Sequence, residues 1–354
     1  MYYLLRSGTA HDPHNGQFTS GPGGSAAPKP AGKAKSTKTK GTSEEHVAHA
    51  ESFATAAAKH AALVKSEPHE AAKHLKNASD AAAKAAEHAK HATKLAPDSE
   101  HAKQAAGHAA TAARHHDDAA LQHMSGTGIT HADLQASFST HGLNARHTKT
   151  EILTDKDGAQ SAKANFTLHD DTGKQVGWIE HSFGKDKKGE KFVKHDHIQL
   201  HESLQGKGYA KAQLKNSVEM YQKHNIDKIK LEAGLDAGRY VWAHMGFSSG
   251  PKGTAFYKDE LKKYIKNWAG EQPNAYLQGR AKERGLSHEQ AAAALAHIET
   301  HVNSMHDISE FKAGGKHIGK HFLLDAQHLP TWQGTMKLKD GEPGYEHFKK
   351  KLGL

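Results

Sequence analysis

The sequence predicts an α+β protein: a mixed sheet with flanking helices, preceded by an Ala/His-rich all-helical arm and a flexible N-terminal tail. Three observations predict it. Large apolar side chains are sparse before residue 125 and ordinary after it. Four stretches of alternating apolar and polar residues between 145 and 200 are separated by Gly-containing turns. The pattern then switches to helix, strand, helix, strand, the order of an α+β core with one mixed sheet.

A chain of 354 residues has room for two domains, or for one with long appendages. Only 36% of residues are hydrophobic and the mean hydropathy is −0.79. The deficit lies in 1–125, which can offset backbone ordering only by forming thin helices. Residues 126–354 suffice for a normal core. The net charge of +9, with 32 His counted neutral, favours an anionic partner such as nucleic acid, although lysine runs are more often solvated faces. The absence of cysteine excludes a disulfide framework, a thiolate nucleophile and a zinc–thiolate site. The opening residues 1–6 are too short for the apolar region of a signal peptide. No stretch approaches the roughly 18 apolar residues of a membrane span, so a soluble protein is expected.

Residues 1–42 read as a flexible basic Gly/Ser/Lys tail, with a Pro- and Gly-broken basic linker over 29–40. Residues 43–125 read as a three-helix arm. Thr42 and Glu45 have capping-box spacing and open a helix to about Lys65. Pro68 restarts the chain at a tolerated first-turn position, and the second helix runs to about Leu95. Pro97-Asp98-Ser99 punctuates again before a third helix to about Met124. Alanine gives helix propensity but little burial. The helices are therefore expected to pack on one another, on partner chains or on another molecule, rather than to stand free as a bundle. His46 and His49, or His115 and His116 beside Asp117 and Asp118, could meet on one helix face as metal ligands. Because His recurs along the whole chain, the preferred reading is that it fills polar helix positions, and no metal is expected.

The folded domain is expected over 126–260, with a helix near 131–140 and strands near 145–153, 160–168, 175–183 and 191–200. Asp157-Gly158, Thr172-Gly173 and Lys188-Gly189 mark the turns. A helix from Lys207 to Asn225, a strand from Lys228 to Glu232, a short helix near 236–245 and a strand near 253–257 follow. Residues 261–354 read as a C-terminal helical extension packed on this domain. Its clearest helix opens at Ser287-His288-Glu289-Gln290, a second capping box, and runs to about Asn303.

The chemically informative run is 197–210, where an apolar strand turns into a helix through Gln205-Gly206-Lys207-Gly208-Tyr209-Ala210. Gly206 and Gly208 let the backbone approach a ligand, and free amides at a helix start favour an anion. That combination suits a pyrophosphate. A glycine pair alone also fits an ordinary turn.

Gln205-x-x-Gly208-x-Ala210 resembles the acetyl-CoA signature of the GNAT acetyltransferase superfamily. Further on, Ala237-Gly238-Arg239-Tyr240-Val241-Trp242-Ala243-His244-Met245-Gly246-Phe247 resembles the later helix of that family, and Ile229-Lys230-Leu231-Glu232-Ala233 has the place of the strand before it. The resemblance spans roughly 145–260. The pattern of Trp242 with Trp332-Gln333-Gly334 is similar to acetyltransferase-like domains attached to tailed-phage structural proteins. The segment 12–21 resembles a short tail in phage head and portal-associated proteins.

The resemblance implies acetyl-CoA as a substrate. Gln205, Gly206, Lys207, Gly208, Tyr209 and Ala210 would form the pyrophosphate loop. The backbone around Ile198 and Leu200 would pair with the pantetheine arm and polarise the thioester. It further implies direct transfer to an amine or hydroxyl with a general base and a general acid. Base candidates are His195, Asp196, His197, His201 and Glu202, with Asp196 and His197 preferred. Strand alternation puts Asp196 on the face of Ile198 and Leu200, and His195 and His197 on the other.

Two departures stand out. The family's acid is a Tyr four residues before the Gly of Gly-Phe, where this chain has Trp242. Tyr240, the neighbouring hydroxyl, points elsewhere on a helix. The family's two helices between the first strands are replaced by a turn at 155–158, so the helix near 131–140 or the C-terminal helices must close the acceptor side. Two functions compete: a virion-associated acetyltransferase, and a structural virion protein with a silent acetyltransferase fold whose basic arm contacts DNA or other virion proteins. Either implies a place in the virion, or in the host cytoplasm during infection, within an oligomeric assembly.

Overall fold

The computed structural model describes residues 41–156, 158–234, 238–269, 285–325 and 329–354. The expected tail lies outside them except for its last two residues, as does the segment 12–21. The chain forms two compact units, divided between Ala119 and Ala120. Among the described residues no helix is long and apolar enough to cross a membrane.

The first unit is built on α1 (Ser43–Ser66), α2 (Ala71–Leu95) and α3 (Glu100–Ser125). The capping box forms as expected: the Glu45 amide donates to Thr42 Oγ1, and the Thr42 amide to Glu45 Oε2. Pro68 opens a 3-10 turn that leads into α2. The helices pack on one another through alanine seams. Ala50, Ala54 and Ala57 of α1 meet Ala81, Ala85, Ala89 and Ala92 of α2, with Ala105 and Ala112 of α3 closing the core. Each buried methyl contributes only about 0.8 kcal/mol, so this interface is close but weak.

The second unit contains the sheet. Its strands are β1 (Asn144–Thr154), β2 (Gln160–His169), β3 (Gln175–Lys185), β4 (Lys191–Leu200), β5 (Lys228–Ala233) and β6 (Trp332–Lys337), hydrogen-bonded in that order. All neighbours are antiparallel except β4 and β5. The α+β class with one mixed sheet is therefore observed. Two of the hairpins share an Asp-x-x-Gly turn in which the Asp side chain accepts backbone amides and the Gly takes positive φ: Asp170 with Gly173, and Asp186 with Gly189. Lys228 ties β5 to the second of these turns through Asp186 and Glu190, each at 2.5 Å. Between β4 and β5 runs α5 (Tyr209–Lys223), whose Leu214, Val218 and Tyr221 are buried. With α4 (His131–Phe138) it covers one sheet face, on which Phe166, Ile179, Phe183 and Val193 are nearly solvent-free.

After β5 the chain departs from expectation. The short helix forms as α6 (Gly238–His244), but the expected strand at 253–257 lies inside α7 (Gly250–Trp268). Pro251 sits in its first turn, and Tyr257, Leu261, Tyr264, Ile265 and Trp268 are buried at helical spacing. Just before α7, Ser248 exchanges backbone bonds of 2.9 and 2.8 Å with Thr335. The strand beside β5 is β6, from a region read as helical. Helices α8 (His288–His301), α9 (Met305–Glu310), α10 (Ile318–Asp325) and α11 (Pro343–Leu352) complete the unit, with the Ser287/Gln290 capping box opening α8.

The second correction concerns β4. His195 pairs with His181 and His197 with Glu180, so Asp196 is an extra residue, a β-bulge. The bulge resets the alternation. His195 shares the covered face with Ile198 and Leu200, while Asp196 and His197 both lie on the other face.

Helix α6 ends in a Schellman motif: the amides of Gly246 and Phe247 donate to the carbonyls of Ala243 and Trp242. Gly246 has φ +94°, and a Cβ there would lie 2.7 Å from the Gly344 carbonyl oxygen. Gly246→Ala is therefore expected to cost about 3 kcal/mol, combining left-handed strain with overpacking, and thermal unfolding checks it.

Candidate functional site

Strands β4 and β5 pair only from Phe192↔Lys228 to His195↔Leu231. Beyond that point β4 runs on through 196–200, whereas Glu232 and Ala233 of β5 pair only with Gln333 and Trp332 of β6. The two parallel strands thus separate at the bulge. Among the described residues no strand adjoins the β5-side backbone edge of 196–200. That edge offers amides and carbonyls to an extended ligand, with Ile198 and Leu200 buried beneath it.

The edge leads directly into the glycine loop. The Gln205 side-chain amide donates to the Leu200 carbonyl at 3.1 Å and holds the loop to the strand end. A 3-10 turn at Glu202–Leu204, capped by His201, precedes Gly206 at φ +77° and Gly208 at φ +87°. Gly208 is the N-cap of α5. A Cβ on it would meet nothing within 4 Å, so glycine is required there by backbone conformation and not by crowding. Among the described residues the amides of 206–211 have no backbone acceptor; the first bonded one is that of Ala212, to Gly208 O at 3.0 Å. Lys207 is exposed at the loop tip, and Tyr209 packs edge-on against His141. These free amides lie at the positive end of α5, an arrangement suited to a phosphate.

Asp196 accepts from Ser182 Oγ at 2.5 Å and pairs with Lys194 Nζ at 2.9 Å. His197 stacks almost parallel on Trp178, centroids 5.2 Å apart. The structure therefore brings Asp196, His197, Ile198, Leu200 and the loop onto one strand end. Tyr240 is placed differently. Its ring stacks on His244 of α6 and lies under Lys320 of α10, and burial, then the nearby Glu310, pushes its phenol pKa up. Trp242 turns the other way, buried against Phe247 and His195.

Two buried polar residues, His181 and Tyr221, escaped sequence reading, and both contact His195, one of the base candidates. His181 and His195 stack at 4.1 Å with parallel rings, and the Tyr221 hydroxyl bonds His181 Nδ1 at 3.0 Å and His195 Nε2 at 3.1 Å. With one proton to give, Tyr221 donates to one imidazole and accepts N–H from the other. Among the described residues His181 Nε2 and His195 Nδ1 have no hydrogen-bond partner. Burial lowers the His181 pKa to about 3; burial and then the neighbouring His181 hold that of His195 well below its usual value. Both are neutral in the fold. His181 lies on the inward alternation of Ile179 and Phe183, and Tyr221 on the buried stripe of α5, so periodicity carried the signal.

A cavity of about 470 Å³ opens elsewhere, at the start of β5 and the end of β6, between Asp227, Lys228, Lys337 and Glu342. It lies at the opposite end of β5 from the strand separation.

No protein-family model and no curated protein matches this chain. Among solved structures, a nourseothricin acetyltransferase is similar over 30% of this chain and 70% of its own, at 15% identity and a TM-score of 0.17.

Proposed function

We propose that this chain is an acetyltransferase of the GNAT kind, using acetyl-CoA to acylate an amine or hydroxyl. The observation that carries the proposal is the separation of parallel β4 and β5 at the Asp196 bulge, beside a two-glycine loop whose amides are unpaired. The loop from Gln205 to Ala210 binds the pyrophosphate. The edge at Ile198 and Leu200 pairs with the pantetheine arm and directs an amide at the thioester oxygen. The acceptor nitrogen or oxygen attacks the carbonyl carbon, the C–S bond breaks, and coenzyme A leaves as a thiolate. Asp196, with His197 beside it, takes the proton of the attacking group. The departing thiolate takes a proton from solvent, because Tyr240, the hydroxyl expected from the sequence, packs on His244 and Lys320 instead. Calorimetric titration of the full chain with acetyl-CoA tests the binding. Asp196→Asn is expected to lower turnover about 100-fold while leaving acetyl-CoA affinity within threefold. A folded chain that binds no acetyl-CoA overturns the reading.

The second reading is a virion scaffold that contacts other phage proteins and DNA. It is favoured by Trp242, buried where the resemblance expects the acid Tyr. DNA affinity that falls steeply with salt supports it, because lysine–phosphate contacts release counterions; no binding at low salt removes the DNA part.

A further inference from the structure

We propose that His46, His49, His88 and His91 form a binding site for one zinc-class divalent transition-metal ion that staples α1 to α2. The sequence alone pairs His46 with His49 but cannot show what faces them. In the structure the facing residues are a second pair at the same i, i+3 spacing on α2. His49 lies against His88 with centroids 4.8 Å apart, His46 against His91 at 5.3 Å, and His46 against His88 at 5.2 Å. Four imidazoles thus face one another across the helix pair.

The closest two already approximate a ligand edge. His46 Nδ1 and His88 Nδ1 are 3.0 Å apart, and two nitrogens on a tetrahedral zinc at the usual bond length are separated by about 3.3 Å. The ligand nitrogens of His49 and His91 stand farther off, so the proposed site forms only when their side chains rotate on metal binding. Imidazole is the ligand that zinc, nickel and copper share, and four neutral imidazoles leave the ion's charge exposed to solvent at the open side of the pair. His49 is exposed and gives that access, whereas His46 is 2% exposed and fixes the floor. In the metal-free fold the Nδ1 atoms of His46 and His88 share one hydrogen bond, whose proton a metal displaces on binding.

The packing supplies the reason such a staple has an effect. Next to the cluster the helices meet through Ala50, Ala89 and Ala92, small side chains that hold two helices only weakly. Another group in this unit, Glu67, Glu70 and His74, already brings its ligand atoms together, but Lys73 pairs with Glu70 at 2.8 Å and competes for that carboxylate.

The test is titration of the full chain with Co²⁺, whose tetrahedral complexes absorb strongly in the visible, followed by displacement with Zn²⁺. One equivalent is expected to give the tetrahedral spectrum, and Zn²⁺ to raise the melting temperature of the helical signal. His49→Gln, at an exposed position, is expected to keep full helicity and weaken Co²⁺ binding at least tenfold. The double change His46→Gln with His88→Gln abolishes the spectrum, and His115→Gln with His116→Gln leaves it intact. A wild-type chain with no tetrahedral spectrum overturns the proposal. So does a spectrum unchanged in His49→Gln and in the double variant, which would place the ion elsewhere among the 32 histidines.

Discussion

Gly208→Glu is expected to weaken acetyl-CoA binding at least 100-fold in a calorimetric titration of a chain that remains folded. The fold survives because a Cβ at Gly208 meets no atom within 4 Å and the rest of the side chain can extend from the exposed loop. Only the left-handed conformation at φ +87° resists the change, at about 1–2 kcal/mol. Binding does not survive, because the carboxylate brings a negative charge to the helix start beside the free amides of 206–211, where the pyrophosphate would bind. A 100-fold loss corresponds to about 2.7 kcal/mol, a modest figure for one negative charge brought against a pyrophosphate in a partly desolvated loop. Gly208→Ala separates charge from geometry. It imposes the same backbone strain without a carboxylate and is expected to bind within about tenfold of the parent. Equal binding by all three chains would make the loop an ordinary strand-to-helix turn.

The second large effect is acid instability of the sheet-containing unit. His181 and His195 are neutral in the fold, with pKa values below the ordinary 6.5, and both recover that value when the chain unfolds. Below pH 6.5 the unfolded state therefore binds more protons than the folded one, and stability falls as the pH falls. Each imidazole contributes about 1.4 kcal/mol per pH unit, so the pair removes nearly 3 kcal/mol per unit between pH 6.5 and the low folded values. Against a typical total of about 5–15 kcal/mol, the pair removes about 4 kcal/mol by pH 5, so a marked loss of stability there and unfolding below about pH 4.5 are expected. Urea titrations at pH 7.5, 6.5 and 5.5, followed by tryptophan fluorescence, measure the slope. His181→Leu combined with His195→Leu is expected to flatten most of it. A double variant with the parental slope would assign the proton uptake to other groups.

The sheet was legible in the sequence wherever a strand's own period and its turns decide the outcome. The four strands from β1 to β4 alternate, and Thr172-Gly173 and Lys188-Gly189 close their hairpins as positive-φ turns. The capping boxes at Thr42 and Ser287 were equally local. The bulge was not foreseen, because register belongs to a pair of strands. A trace of it is nevertheless present: the buried positions Val193 and His195 have odd numbers, Ile198 and Leu200 even ones, and Asp196-His197 is the polar pair between them. The strand at 332–337 escaped because its partner is remote. Trp332, Gly334 and Met336 do alternate inward, but nothing nearby names β5 as their neighbour. The expected strand at 253–257 rested on five residues, too few to distinguish a strand from a turn or so of α7. Of the candidate site, the loop was legible because Gly206 and Gly208 state their own conformation. The faces of Asp196 and His197 were not, since one inserted residue reverses them.

The pairing of β5 with β6 carries a cost in time as well as in topology. The partners are roughly 100 residues apart in sequence, so the contact closes late and slows folding relative to the hairpins of β1–β4. On a ribosome the nascent chain holds β5 with one neighbour for most of the synthesis of the remaining chain, its outer edge open to any strand that meets it. The residues of β5 reflect that exposure. Lys228, Lys230 and Glu232 place a charge at every second position, which discourages the edge from recruiting a foreign strand before its own arrives.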